Sequence, residues 1–117
     1  MDEIYLNGDF ISKSKAQISV MDRGFLFGDG VYELIPVYNK KPFLLDKHLS
    51  RLKNSLSLIG MSEIKDIDII INTLIDKSSN DNFFIYLHIT RGQQIQRQHV
   101  YPADIKPTIL VMCEDYP

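Results

Sequence analysis

The chain has 117 residues, of which 44% are apolar and 24% are charged, and its formal net charge is −2. That length suits one small domain, and the composition matches that of an ordinary globular protein. The sequence contains no apolar stretch long enough to cross a membrane, no basic block for nucleic acid and no export signal at its acidic start. We therefore expect a cytoplasmic protein that binds neither nucleic acid nor a membrane.

Metal and disulfide chemistry are not indicated. Cys113 is a single cysteine, which excludes an internal disulfide and a cysteine-based zinc site. The histidines His48, His88 and His99 do not have the spacing of metal ligands. We expect no metal site.

A β-hairpin is predicted at the start of the chain. Asn7-Gly8 separates two short apolar runs, and both residue types tolerate the positive φ angles of a type I′ turn. Residues 16–20 alternate weakly between apolar and polar, which predicts a short strand after this hairpin.

A second hairpin is predicted from a longer strand at residues 31–38. Asn39-Lys40 turns the chain back toward residues 42–45. Pro36 lies inside the longer strand. Because proline has no N–H to donate, it predicts a bulge or an edge position there.

Two consecutive helices follow. The first is predicted to begin at Asp46, a suitable N-cap, and to end at Gly60, which suits the C′ position. The second is predicted to end near Lys77. In each helix, apolar residues recur at spacings of three and four, which places them on one face. These residues are Leu49, Leu52, Leu56 and Ile59 in the first helix and Ile64, Ile67, Ile71 and Leu74 in the second.

Two further strands, at residues 83–90 and 108–112, complete the predicted elements. Strands outnumber helices, and the helices come as a pair instead of alternating with strands. The pattern predicts an α+β fold, a largely antiparallel sheet with two helices packed on it.

Residues 22–33, Asp-Arg-Gly-Phe-Leu-Phe-Gly-Asp-Gly-Val-Tyr-Glu, carry three glycines in seven positions. A dinucleotide-binding loop would follow a strand and open a helix, whereas Gly30 opens a predicted strand. The Gly-Lys-Ser/Thr of a phosphate-binding P-loop is also missing. The residues by themselves favour a tight turn in which glycine supplies positive φ angles.

Three polar side chains have two interpretations each. Arg51 lies about 100° round the first helix from Leu52, where an arginine is normally a solvated surface residue but can also bind a phosphate. Arg97 and His99 are two residues apart in a predicted loop, so they point the same way in extended chain and could bind a carboxylate. The simpler interpretation is a polar loop.

Four motifs occur together in the order typical of class IV aminotransferases, which depend on pyridoxal 5′-phosphate (PLP). They are Tyr5-Leu6-Asn7-Gly8, the block at residues 22–33, His48-Leu49-Ser50-Arg51-Leu52 and Thr90-Arg91-Gly92. The chain resembles the N-terminal domain of that family over essentially its whole length. Arg97-Gln98-His99 is similar to the Arg-x-His element of the D-amino acid aminotransferases, which the sister groups usually lack.

The resemblance implies a role for each matching residue. Arg51 corresponds to the arginine that binds the PLP phosphate, and Tyr32 to the tyrosine that hydrogen-bonds the substrate carboxylate. Arg97 and His99 correspond to the pair that completes the carboxylate site across a dimer interface. The resemblance thus implies a homodimer that moves an amino group from a D-amino acid, such as D-alanine, to a 2-oxo acid.

The same resemblance implies that residues 1–117 form one domain, with Pro117 close to the family's interdomain linker. The Schiff-base lysine belongs to a C-terminal domain absent from this chain, and none of the nine lysines here occupies its position. No catalytic residue is therefore assigned in this chain, and we expect it to be inactive alone.

Three other functional interpretations are compatible with the sequence. A branched-chain amino acid aminotransferase and an aminodeoxychorismate lyase would have the same fold. A stand-alone, non-catalytic domain that dimerises or binds a ligand is a third alternative.

Overall fold

The two predicted hairpins are built on turns that require positive φ angles. The computed structural model describes residues 2–116, and in it Asn7 and Gly8 have φ angles of 50° and 103°. Asn39 and Lys40 repeat the arrangement at 51° and 65°. Each pair joins two antiparallel strands, as predicted. The returning strand of the second hairpin spans only Lys41–Pro42, however, and not the predicted residues 42–45, because a helix already begins at Leu45.

Six strands form one sheet in the order β2-β1-β6-β5-β3-β4, and every neighbouring pair is antiparallel. The strands are β1 (Glu3–Leu6), β2 (Asp9–Ser12), β3 (Gly30–Tyr38), β4 (Lys41–Pro42), β5 (Phe83–Thr90) and β6 (Thr108–Glu114). A short helix, α1 (Arg23–Phe27), precedes β3, and α2 (Leu45–Leu58) and α3 (Ile67–Lys77) follow β4. The predicted α+β architecture is confirmed.

The two longer helices cover one face of the sheet. The apolar stripes predicted for them supply Leu52 and Leu56 from α2 and Ile71 and Leu74 from α3, all of which are buried. They form one cluster with the inward-facing residues of three central strands. These strand residues are Ile35, Val37, Phe83, Ile85, Leu87, Ile89, Val111 and Cys113.

The start of α2 differs from the prediction. Its N-cap is Leu44, in the left-handed region with a φ of 54°, and no side chain caps the helix there. Asp46 lies instead within the first turn, where its negative charge faces the positive end of the helix dipole. Gly60 has a φ of 73° and directly follows the C-cap Ile59, as predicted.

Residues 16–20 do not form the predicted strand. They follow a 3₁₀ turn at Lys13–Lys15 and run as irregular chain. Ile18 lines a hollow together with His88 and Leu110, so this segment lies across the sheet face opposite the two long helices. A segment that crosses a sheet face cannot also pair along its edge, and the weak alternation did not distinguish the two.

The glycine-rich block is more structured than the predicted turn. Asp22 caps α1, its side chain accepting a hydrogen bond of 2.8 Å from the backbone N–H of Gly24. Gly28 ends that helix with a φ of 66°, and Gly30 then opens β3 as predicted.

Pro36 causes no bulge. Residues on either side of it keep a continuous register with β5. The carbonyl of Pro36 accepts a hydrogen bond from the N–H of Phe43, just after β4. In an antiparallel strand the nitrogen and the carbonyl of one residue point to the same side, so the Pro36 nitrogen also faces β4, which is only two residues long. The edge alternative of the prediction therefore describes Pro36 better.

Within residues 2–116, no helix has the length and apolar character needed to span a lipid bilayer.

The packing predicts that I71A destabilises the domain strongly. Ile71 is 0% exposed between α3 and the sheet, and removing its side chain should lower the free energy of unfolding by about 2–5 kcal/mol. I69A on the same helix is the matched control, because Ile69 is 59% exposed and its loss should cost less than about 0.5 kcal/mol. Urea denaturation followed by circular dichroism measures both, and equal losses would contradict this account of the core.

Candidate functional site

Strand β3 presents two neighbouring residues to opposite faces of the sheet. Side chains alternate along a strand, so Tyr32 points to the open face while Glu33 points toward α2. Tyr32 is accordingly 67% exposed and Glu33 only 3% exposed. A carboxylate so far removed from water needs cationic or hydrogen-bonding partners.

Helix α2 supplies those partners. His48 and Arg51 are three residues apart, which places them on the same helix face above Glu33. Arg51 donates from Nε to Glu33 Oε2 at 2.8 Å and from Nη2 to Oε1 at 2.7 Å, a bidentate pair. His48 Nδ1 lies 2.8 Å from the same Oε1. Since an ionised carboxylate can only accept, His48 carries its proton on Nδ1.

This contact fixes the direction of the Arg51 guanidinium. Burial acts to raise the pKa of Glu33, but hydrogen bonds from Arg51 and His48 outweigh it and hold that pKa below its ordinary value. Glu33 in turn raises the pKa of Arg51 by hydrogen bonding and by its charge. The Arg51 side chain remains 65% exposed, beside a hollow that Lys47 also lines. A guanidinium that Glu33 orients on one side and that is exposed to solvent on the other is suited to an anionic ligand.

Tyr32 occupies a cluster of rings on the open face. Its ring centroid lies 6.2 Å from that of Tyr86, and the Tyr86 hydroxyl is 3.0 Å from His88 Nδ1. Burial lowers the pKa of His88 below its ordinary value, which favours the neutral ring. Neither Tyr86 nor His88 was identified as a site residue from the sequence. His88 pairs directly with Tyr32, and Tyr86 lies two residues before His88 on the same face of β5. The alternation of residues along the predicted strand at 83–90 could have placed Tyr86 and His88 on one face, but it does not pair them with Tyr32.

Arg97 and His99 lie in the exposed loop between β5 and β6. The His99 ring packs 5.2 Å from the ring of Phe27. Arg97 makes no hydrogen bond or ion pair with any other residue in the described range. The structure places the four predicted site residues at three positions: Arg51 on the side covered by α2, Tyr32 on the open face, and Arg97 with His99 in the loop. Within residues 2–116, no hydrogen bond or ion pair joins these three positions.

A second buried ion cluster was missed by the sequence reasoning. Asp29 Oδ2 accepts from Arg23 Nε at 2.8 Å and from Arg91 Nε at 2.7 Å. Although burial acts to raise the pKa of Asp29, the hydrogen bonds from Arg91 and Arg23 keep it below its ordinary value. All three residues belong to motifs identified above, but no spacing rule pairs them. The tertiary contact between the start of β3 and the end of β5 does so.

In residues 2–116, no group of three or more His, Cys, Asp and Glu side chains is arranged to hold a metal ion.

The Glu33 cluster predicts a pH-dependent contribution to stability. Because folding lowers the pKa of Glu33 from 4.5, its contribution is fully present above about pH 4.5 and is lost as the pH falls through the folded value. E33Q should lower the free energy of unfolding at pH 7 by about 1–3 kcal/mol and match the unmodified chain more closely at pH 3.

Urea denaturation from pH 3 to pH 7 measures this difference. E63Q is the control, since Glu63 is exposed and lies 3.6 Å from the exposed Lys53. A penalty for E33Q that stays constant over the whole pH range would contradict the ionised pair.

Comparison with known proteins identifies the family. The sequence model of the family "Amino-transferase class IV" matches residues 30–117. A D-alanine aminotransferase from Staphylococcus aureus (strain MSSA476) is 36% identical over 99% of this chain. The chain spans only 42% of the length of that relative.

Solved structures confirm the fold. The branched-chain amino acid aminotransferase of Escherichia coli superposes with a TM-score of 0.86 at 22% identity, covering 98% of this chain and 40% of its own. A hypothetical aminotransferase from Mycobacterium tuberculosis, in a PLP-bound form, gives a TM-score of 0.78 at 20% identity over 98% of this chain and 40% of its own. The chain belongs to the class IV aminotransferase family.

Proposed function

We propose that residues 1–117 are the N-terminal domain of a D-amino acid aminotransferase. The complete enzyme would use PLP to move an amino group from a D-amino acid, such as D-alanine, to a 2-oxo acid. The observation that carries the proposal is that Glu33 orients the Arg51 guanidinium while the Arg51 side chain stays 65% exposed and accessible to a ligand. The substrate class is supported by the 36% identity with a D-alanine aminotransferase and by the Arg97-x-His99 element.

The residues present fit the phosphate of PLP. Arg51 uses Nε and Nη2 for Glu33, and within the described chain its Nη1 has no hydrogen-bond partner. That nitrogen can donate to a phosphate oxygen while the rest of the fork stays fixed. Because the negative charge of Glu33 offsets the positive charge of Arg51, the pair contributes an oriented hydrogen-bond donor to the phosphate and little net positive charge. Lys47, beside the same hollow, supplies a further cation. When bound, PLP provides the electron sink for the chemistry at the substrate Cα.

Tyr32, Arg97 and His99 are proposed to bind the substrate carboxylate. The exposed phenol of Tyr32 is a neutral donor, and the guanidinium of Arg97 is a donor fork free of partners in the described chain. Because Arg97 and His99 do not contact Tyr32 within one chain, the proposal includes a homodimer in which the loop of one protomer faces the strand of its partner. A carboxylate held on one side also determines which face of the Cα–H bond is presented to the base.

Residues 1–117 are proposed to be inactive alone, because the lysine that links to PLP would lie in a C-terminal domain. Mixing this chain with PLP and then borohydride should therefore leave no stoichiometric label on a single lysine. Peptide mass spectrometry measures the label, and diffuse substoichiometric modification is the expected result. Stoichiometric labelling of one lysine would contradict the proposal, and Lys47, beside Arg51, is the residue to inspect first.

The D-amino acid specificity is tested in the complete enzyme. R97A and H99A should each lower kcat/KM for D-alanine by about 10²-fold or more, because a misplaced carboxylate loses its reactive orientation. K53Q, on the exposed outer face of α2, is the control and should change it less than about twofold. Unchanged D-alanine turnover in both variants, with turnover of a branched-chain L-amino acid, would favour the branched-chain alternative. The superposition on the Escherichia coli enzyme, with a TM-score of 0.86 at 22% identity, supports the common fold and not that substrate.

A further inference from the structure

Within the described chain, the loop that carries Arg97 and His99 makes no backbone–backbone hydrogen bonds at residues 95–100. Residues 95–100 are all exposed and belong to no helix or strand. Within the described chain, the hydrogen bonds to their main chain come from two side chains, Arg23 and Gln94. A loop without a backbone ladder is mobile unless side chains anchor it.

Arg23 makes most of that anchor. Its Nη1 donates to the carbonyl of Gln98 at 2.8 Å and to Gln94 Oε1 at 3.2 Å, and its Nη2 donates to the carbonyl of His99 at 3.1 Å. Gln94 Nε2 donates to the same Gln98 carbonyl at 3.0 Å. The bonded carbonyls belong to the residue directly after Arg97 and to His99 itself.

The Arg23 guanidinium is itself fixed on every side. Its side chain is 8% exposed, and its Cζ lies 4.7 Å from the centroid of Phe27 and 5.3 Å from that of Tyr101. Phe27 also contacts the His99 ring. Nε is bound to Asp29, so all three guanidinium nitrogens have acceptors.

Arg91 supports Asp29 and Tyr101 from the other side. It donates to Asp29 at 2.7 Å and to the carbonyl of Ile59 at 2.6 Å, and its Cζ lies 4.1 Å from the Tyr101 ring. The loop therefore contacts a rigid unit formed where α1, β3 and β5 meet, and not a flexible surface side chain.

We propose that Arg23 is the positioning residue for the carboxylate-binding loop, acting on the main chain of Gln98 and His99 so that the Arg97 and His99 side chains are presented in a fixed direction. The inference rests on the proposed function for the roles of Arg97 and His99. Lysine cannot replace Arg23, because a single ammonium lacks the planar fork that reaches Asp29 and two carbonyls at once. The cofactor side is independent of it, since Arg51 is oriented by Glu33 and His48.

The first test measures the loop directly. Trypsin cleaves after Arg97, and R23K should accelerate that cleavage about tenfold relative to cleavage after the exposed Lys13 of the same molecules. Mass spectrometry follows both sites, and K53Q should leave the ratio unchanged. Q94A, which removes one anchor and keeps the Arg23–Asp29 pair, should also raise the ratio, and it decides the question if R23K does not fold. An unchanged ratio in a folded R23K, or in Q94A when R23K does not fold, overturns the proposal.

The second test separates positioning from the proposed function in the complete enzyme. R23K should raise the KM for D-alanine about tenfold, with a smaller change in kcat and an unchanged affinity for PLP. Faster cleavage after Arg97 in R23K, together with normal D-alanine kinetics in R97A and H99A, would support the positioning role of Arg23 and refute the substrate role of the loop. Loss of turnover in R97A with an unchanged KM in R23K would refute the positioning role and leave the proposed function intact.

Discussion

The pairing of Glu33 is the constraint on which the arrangement of the site depends. A carboxylate that is 3% exposed has lost most of its hydration, and it is tolerated because Arg51 and His48 replace the lost hydrogen bonds. These two residues lie one turn apart on α2, whereas Glu33 belongs to β3. The helix can neither rotate nor slide on the sheet without breaking at least one bond. The contact that docks α2 is therefore the same contact that directs the Arg51 guanidinium.

The phase of β3 follows from the same requirement. A slip of one residue would move Glu33 to the open face and bury Tyr32 under the helix. The first residue of the strand opposes such a slip, since a Cβ on Gly30 would lie 2.6 Å from the carbonyl oxygen of Ile89. Only glycine allows the two strands to approach so closely at this end. The exposed phenol and the buried carboxylate are thus set together by one short stretch of backbone.

Much of this fold could be predicted from the residues because the signals are local. Asn7-Gly8 specifies its own turn, and the apolar stripe of α2 specifies which face packs on the sheet. Residues 16–20 were misassigned as a strand because weak alternation does not say whether a segment pairs at an edge or crosses a face. Asp46 was misassigned as an N-cap because Leu44 adopts a positive φ angle that apolar residues rarely take.

The candidate site was predictable only where a motif carried it. Arg51 and Tyr32 stood out through the family resemblance, and without it Arg51 was most simply interpreted as a solvated surface residue. The partners of Arg51 could not be derived from spacing, since Glu33 is 18 positions away in the chain. The Arg23–Asp29–Arg91 cluster was missed for the same reason, because it joins residues up to 68 positions apart through tertiary contact. Ion pairs that connect distant elements are properties of the topology and not of a sequence window.

The way the loop at residues 95–100 is attached has a consequence for how such a domain can diversify. Arg23 and Gln94 bind carbonyl oxygens, which every amino acid possesses, so the attachment does not depend on the side chains that the loop carries. Substitutions at positions 97 and 99 would then change the side chains that the loop presents while its path stays the same. The anchor fixes where the loop lies without fixing which side chains it carries, so those side chains can change without a change in the rest of the domain.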